Sequence, residues 1–163
     1  MTWSPRARRV HHSVVSNALV GRLRVPLPPA DAFVLFTAVG EREWVHGWEP
    51  RFPRPVDDDT EPGSVFVTDG HGGGTVWVVT ARDRPWLISY ARVTPGDRAG
   101  TVTVRLAPAG EEGEHSDVEV AYELTALVPE AEHDLRRFAE GYSAYLASWE
   151  RDIAAYLSLP PVG

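Results

Sequence analysis

The chain has 163 residues and a formal net charge of −7, the size of a single domain. It contains no cysteine and no lysine, its sixteen basic residues all being arginine, which excludes disulfides, thiolate chemistry, thiolate metal sites and Schiff-base or P-loop lysines. The acidic balance, without any Lys/Arg stripe, argues against a nucleic-acid partner, and no apolar run reaches the ~18 residues that would insert in a membrane.

Residues 1–15 carry Arg6, Arg8 and Arg9 but lack the apolar stretch of a signal peptide, and are expected to form a mobile N-terminal tail. Residues 16–158 are expected to form one domain, with 159–163 as a C-terminal tail. The spacing predicts a first strand over 17–25, with Leu19, Leu23 and Val25 on one face and Ala18 and Val20 on the other. Pro26, Pro28 and Pro29 end it. Pro29 and Asp31 suit a helix start, and Ala32, Phe33, Phe36 and Val39 have helical spacing. A second short helix is expected at about 41–46, with Trp44 and Val45 as its apolar members. Residues 48–62, rich in Pro and Asp, read as a loop with at most a short edge strand at Phe52.

The rhythm then changes to period two. Strands are expected over 64–69, 75–82, 86–93, 100–106 and 117–127, joined by hairpin-length links that include His71-Gly72-Gly73-Gly74 and a polar loop at 108–116. In the last strand Val118, Val120, Tyr122 and Leu124 share a face. The segment from about 129 to 158 reads as one long helix. Pro129 opens it, and Leu135, Phe138, Tyr142, Leu146, Trp149, Ile153 and Leu157 recur at steps of three and four. A stripe that long must lie across a sheet.

This order, together with Pro28-Pro29-Ala30-Asp31-Ala32-Phe33, Trp44-Val45-His46-Gly47-Trp48, Pro62-Gly63-Ser64-Val65-Phe66, Thr75-Val76-Trp77-Val78-Val79 and Tyr90-Ala91-Arg92-Val93-Thr94-Pro95-Gly96, resembles the START/Bet v 1-like superfamily (SRPBCC, helix-grip), in its polyketide cyclase/dehydratase-like branch. So do Tyr122-Glu123-Leu124-Thr125-Ala126-Leu127 and the helix around Phe138, Tyr142 and Trp149. The resemblance implies an α+β fold. A curved antiparallel sheet of six to seven strands would wrap a long C-terminal helix, with two short helices after the first strand. Its members include lipid, hormone and metabolite carriers, cyclases that fold polyketide chains, and Hsp90 activators.

The sequence is rich in rings, with six Trp. Trp44, Trp48, Phe52, Phe66, Trp77, Trp86, Tyr90, Tyr122, Tyr142, Tyr145 and Trp149 are hard to pack solid, and their N–H and O–H groups need partners. The expected cavity lining is Trp44, Trp48, Phe66, Trp77, Tyr90, Arg92, Tyr122, Phe138, Tyr142 and Trp149. Arg92 and Tyr90, with Ile88, share a strand face. Pointing inward, Arg92 could bind a carboxylate, enolate or phenolate, as pocket arginines do in the aromatase/cyclases that the resemblance brings in. The plainer reading, preferred from sequence, sends Arg92 to solvent or to a carboxylate. Glu43 and His46 have i, i+3 spacing but no third ligand, so no metal and no cofactor are expected. The remaining histidines (His11, His12, His71, His115 and His133) read as solvated. His71-Gly72-Gly73-Gly74 lacks the GxSxG partner of a hydrolase oxyanion loop and reads as a hairpin.

The expected partner is therefore a small hydrophobic molecule, aromatic or polycyclic, in a cavity with a mainly Val, Ile, Leu, Trp and Tyr lining. The alternatives are a polyketide cyclase or aromatase using the same cavity, with Arg92 and Tyr90 as candidate catalytic groups, and an Hsp90-activator-like interaction module. A homodimer is compatible with the sequence. The composition fits a GC-rich bacterial genome, and the lack of cysteine suits the cytoplasm.

Overall fold

A computed structural model describes residues 16–70 and 73–158. The two expected tails, His11, His12 and His71-Gly72 lie outside the described residues. Six strands form one antiparallel sheet: β1 Ser16–Val25, β2 Val65–Gly70, β3 Gly73–Asp83, β4 Leu87–Thr94, β5 Arg98–Ala109 and β6 His115–Ala126. Their order across the sheet is β1-β6-β5-β4-β3-β2, so consecutive hairpins build β2 to β6 and β1 closes beside β6. A register shift between Val79 and Ala81 interrupts the β3–β4 ladder, and such bulges bend a strand and increase its twist.

Between β1 and β2 the chain forms α1 (Pro29–Ala32) and two 3₁₀ turns, Phe33–Phe36 and Gly40–Glu43. Ala32, Phe33 and Phe36 are buried as their spacing predicted, but Val39 is exposed because the chain leaves helical angles at Thr37. The long loop that follows makes an isolated bridge to the sheet, Arg51 to Val67, and its Asp58, Thr60 and Glu61 accept hydrogen bonds from Arg82 of β3.

Three sequence expectations need correction. The C-terminal segment is two helices, α2 (Glu132–Glu140) and α3 (Tyr142–Ser158), because Gly141 leaves helical geometry at φ −93° and ψ 7°. The apolar stripe nevertheless runs through the break, with Leu135, Tyr142, Leu146, Trp149 and Ile153 all buried. Trp86 stands half-exposed in the β3–β4 turn and packs in no core. The 108–116 loop is shorter than expected, since Pro108 to Ala109 still pair with His115 to Ser116. The β4 pairing ends at Leu87 opposite Arg105. Beyond it β5 has a free edge, where a proline breaks no ladder.

Alternation places Leu23 and Val25 of β1, Ile88 and Tyr90 of β4, Val102, Val104 and Leu106 of β5, and Val118, Val120, Tyr122 and Leu124 of β6 on one buried face. The helix α3 seats on β1 at Gly21, where an added Cβ would overlap the Leu146 side chain and press on Tyr142. The exposed edge of β1 is capped there, as the Arg24 backbone N–H donates to the Glu150 carboxylate at 2.8 Å.

Candidate functional site

Two groups of rings face each other under the sheet. In the first, Phe66 and Trp77 are cross-strand partners stacked 5.7 Å apart with planes 2° from parallel. Trp48 meets Trp77 edge-on at 5.6 Å, and Tyr90 meets it at 6.1 Å. In the second, Tyr122 packs edge-on against Phe138 at 5.3 Å, and Tyr145 against Trp149 at 5.2 Å. Among the described residues no ring pair joins the two groups. Edge-to-face packing satisfies each group internally, and a cavity of about 300 Å³ remains between them, within the size range of small-molecule sites.

Trp48, Phe66, Trp77, Tyr90, Arg92, Tyr122, Phe138 and Trp149 line this cavity. Trp44 and Tyr142, expected there, do not. Both point their polar tips into the fold: the Trp44 indole donates to the Leu35 carbonyl at 2.7 Å, and the Tyr142 hydroxyl donates to the Val120 carbonyl. Their rings are core filling behind the wall. Phe52 packs on Phe66 from the loop side.

The insert carrying the short helices is tied down by aromatic donors. Trp44, Trp48 and Tyr90 donate to the carbonyls of Leu35, Ala38 and Phe36, at 2.7, 2.7 and 2.8 Å. The Tyr90 proton is thus committed to structure, and its ring, not its hydroxyl, meets the cavity. Burial, reinforced by the negative fields of Glu41 and Asp59, holds that hydroxyl well above the ordinary tyrosine range.

Arg92 enters the cavity as an unpaired cation. The preferred sequence reading sent it to solvent or to a carboxylate; it keeps partial exposure and makes no carboxylate pair among the described residues. Its guanidinium lies 5.1 Å over the Trp77 ring and donates to the Thr94 hydroxyl at 2.9 Å. Its Nε is buried with no partner among the described residues. The nearby carboxylate, Asp97, is engaged by Arg98 instead. Desolvation lowers the Arg92 pKa, with partial compensation from Tyr122 and Tyr145, yet a guanidinium remains charged at any working pH.

Glu41, in the Gly40–Glu43 turn, also lines the cavity and makes no ion pair or side-chain hydrogen bond among the described residues. Burial pushes its carboxyl from 4.5 up to about 8. The residue as a whole retains some accessible area, and it stands on the cavity wall. Glu43 and His46, by contrast, are exposed. Among the described residues no group of three His, Asp or Glu side chains could hold a metal, and no helix is long and apolar enough to cross a membrane.

No family model matches the sequence, and no curated protein does. Solved structures match the fold throughout. Norcoclaurine synthase from Thalictrum flavum superposes with a TM-score of 0.63 at 12% identity, covering 96% of this chain and 96% of that one. CalU16 from Micromonospora echinospora gives 0.58 at 16% identity, covering 87% and 79%. The Mll3558 protein from Rhizobium loti gives 0.59 at 21% identity, covering 86% and 99%. This is the START/Bet v 1-like, helix-grip fold.

Within the helix-grip fold, sequence reasoning missed Glu41, Thr68, Asp69, Thr75 and Arg98 on the cavity wall, and it named Tyr145 among the rings but left it out of the expected lining. Tyr145 was recognisable as one more ring at helical spacing from Tyr142 and Trp149. Glu41 carried no such signal, since Gly-Glu-Arg-Glu has no apolar period. The lining is consequently less apolar than the inner strand faces alone implied.

Proposed function

We propose that this helix-grip protein binds a small aromatic or polycyclic molecule in the cavity between sheet and C-terminal helices, an anionic or enolic oxygen of the ligand meeting Arg92. The observation that carries this reading is the unpaired Arg92 guanidinium on the wall of a ring-lined cavity of about 300 Å³. A desolvated cation without a counter-ion is costly unless something supplies the negative charge. Rings on both sides favour a flat, apolar body for the ligand. A fold neighbour, norcoclaurine synthase, has been solved with dopamine and hydroxybenzaldehyde, both small and aromatic. A cytoplasmic, bacterial setting suits the cysteine-free, lysine-free sequence.

The test is direct. Native mass spectrometry of protein purified from its host should reveal a co-purifying aromatic mass, and quenching of the cavity tryptophans should report added ligands. Consistent failure of both would remove the proposal.

A second reading, a cyclase or aromatase acting on a polyketide-like chain, is favoured by one observation: Glu41, protonated at neutral pH, and Arg92 share the cavity. A pair of groups with environments that shift their proton affinities is what acid-assisted enolate chemistry needs. Turnover of a β-polyketone, lost in Glu41→Gln but with binding kept, would move the assignment from carrier to enzyme. The Hsp90-activator-like alternative required little interior volume, and the cavity weighs against it.

A further inference from the structure

Glu41 and Arg92 do not meet. No Arg92 nitrogen lies within 4.0 Å of a carboxylate among the described residues. Along β4 the inward residues run Ile88, Tyr90, Arg92, each about 7 Å further along the strand. The Tyr90 hydroxyl reaches back to Phe36, in the turn just before the Glu41 segment. Arg92 lies beyond it, beside Thr94 and opposite Gly100. Tyr122 and Tyr145 feel the fields of both groups, whereas Tyr90 feels Glu41. Arg92 and Glu41 thus share one cavity wall without forming an ion pair, and Tyr122 and Tyr145 lie close enough to feel both.

We infer that the cavity recognises a bifunctional ligand: a flat fused-ring body with an anionic oxygen at one end, held by Arg92, and a hydrogen-bond-accepting carbonyl toward the other, held by the Glu41 carboxyl acting as donor. This rests on the binding reading above and adds to it a second polar anchor that only the tertiary structure reveals. A carboxyl at this place can donate because burial keeps it protonated up to about pH 8. An apolar-only ligand would leave both anchors desolvated and unpaired. A ligand with an anion alone would leave the Glu41 proton unused.

The titratable and charged groups around Glu41 are Arg42, Glu43 and His46, exposed on its own segment, Asp59 on the following loop, Tyr90 of β4, Tyr122 of β6 and Tyr145 of α3, with Asp69, Arg92 and Arg98 on the remaining wall. The three tyrosines are all shifted upward. Glu41, pushed up to about 8, is the cavity carboxyl that a profile from pH 7 to 9.5 follows.

The experiment titrates the full chain with three probes, read by tryptophan quenching: anthraquinone-2-carboxylate (anion and carbonyls), anthracene-2-carboxylate (anion only) and 9,10-anthraquinone (carbonyls only). The first should bind at least about tenfold more tightly than either other, one net hydrogen bond to a charged or acidic group being worth that much. Its affinity should fall about twofold between pH 7 and 8 and then toward tenfold per pH unit above. In Glu41→Gln the amide still donates, so binding should persist while the decline above pH 8 disappears. Circular dichroism of the variant checks its fold, and the wild-type pH profile tests the inference without any variant. Equal affinity for the three probes, or a flat wild-type profile to pH 9.5, would overturn the inference while leaving the cavity reading intact. If no probe quenches, this inference is lost, and if no aromatic mass co-purifies either, the cavity reading goes with it.

Discussion

Arg92 and Trp77 are paired residues of adjacent strands, and the guanidinium rests 5.1 Å from the indole centroid. The ring face supplies part of the negative potential that a carboxylate would otherwise provide. It leaves Nε unsatisfied and the cation available to the cavity.

Replacing Arg92 by Met should separate stability from binding. Removing a desolvated, unpaired charge should leave folding stability unchanged or raise it by about 1 kcal/mol. Affinity for an anionic aromatic such as 1-hydroxy-2-naphthoate should fall about tenfold or more, with little change for 2-methoxynaphthalene. Urea unfolding and fluorescence titration measure the two effects. Equal losses for both probes would argue against an ionic contact.

Glu41 should make the protein less stable as pH rises. Its carboxyl releases its proton near 4.5 when unfolded and near 8 when folded. The folded state therefore binds more protons than the unfolded state across that interval. Its contribution is fully favourable below pH 4.5, declines by at most about 1.4 kcal/mol per pH unit, and levels off above 8. Glu41→Gln should flatten this slope and be the more stable protein at pH 8.5. Denaturant midpoints of both proteins at pH 5.5, 7 and 8.5 would show it; parallel curves would refute it.

Gly21 is the point at which β1 accepts α3. A Cβ there meets the Leu146 side chain, so Gly21→Ala should destabilise by about 1–3 kcal/mol through overpacking. Combining it with Leu146→Ala should give less than the sum of the two losses, because the truncated side chain vacates the contested space. Strict additivity would place the cause elsewhere.

Tyr90→Phe should weaken the insert and leave the strands in place. The lost donor leaves the buried Phe36 carbonyl unpaired, a loss of about 1–3 kcal/mol. Hydrogen exchange should accelerate mainly in residues 33–48, the segment that holds Glu41. Uniform acceleration across the sheet would contradict this local role.

Much of this architecture was visible in residue order. Alternation of Val118, Val120, Tyr122 and Leu124 marked β6 and its inward face. The same rule put Arg92 and Tyr90 on one side of β4. The stripe from Leu135 to Ile153 marked a helical surface needing a sheet, and its period survives the break at Gly141. The break itself was not readable, because an isolated glycine inside a helical pattern is tolerated at a cost of about 1 kcal/mol and does not by itself end a helix.

Sequence alone determined which residues share a face, since periodicities of 2 and 3.6 are local properties of the backbone. It thereby determined the fold class and most of the ring lining. Tertiary structure decided what each polar tip meets: Trp44 and Tyr142 donate to the carbonyls of Leu35 and Val120, Arg92 finds an indole in place of a carboxylate, and Glu41 rather than Glu43 lines the cavity. Those outcomes depend on partners brought together across long sequence separations, and no local period encodes them.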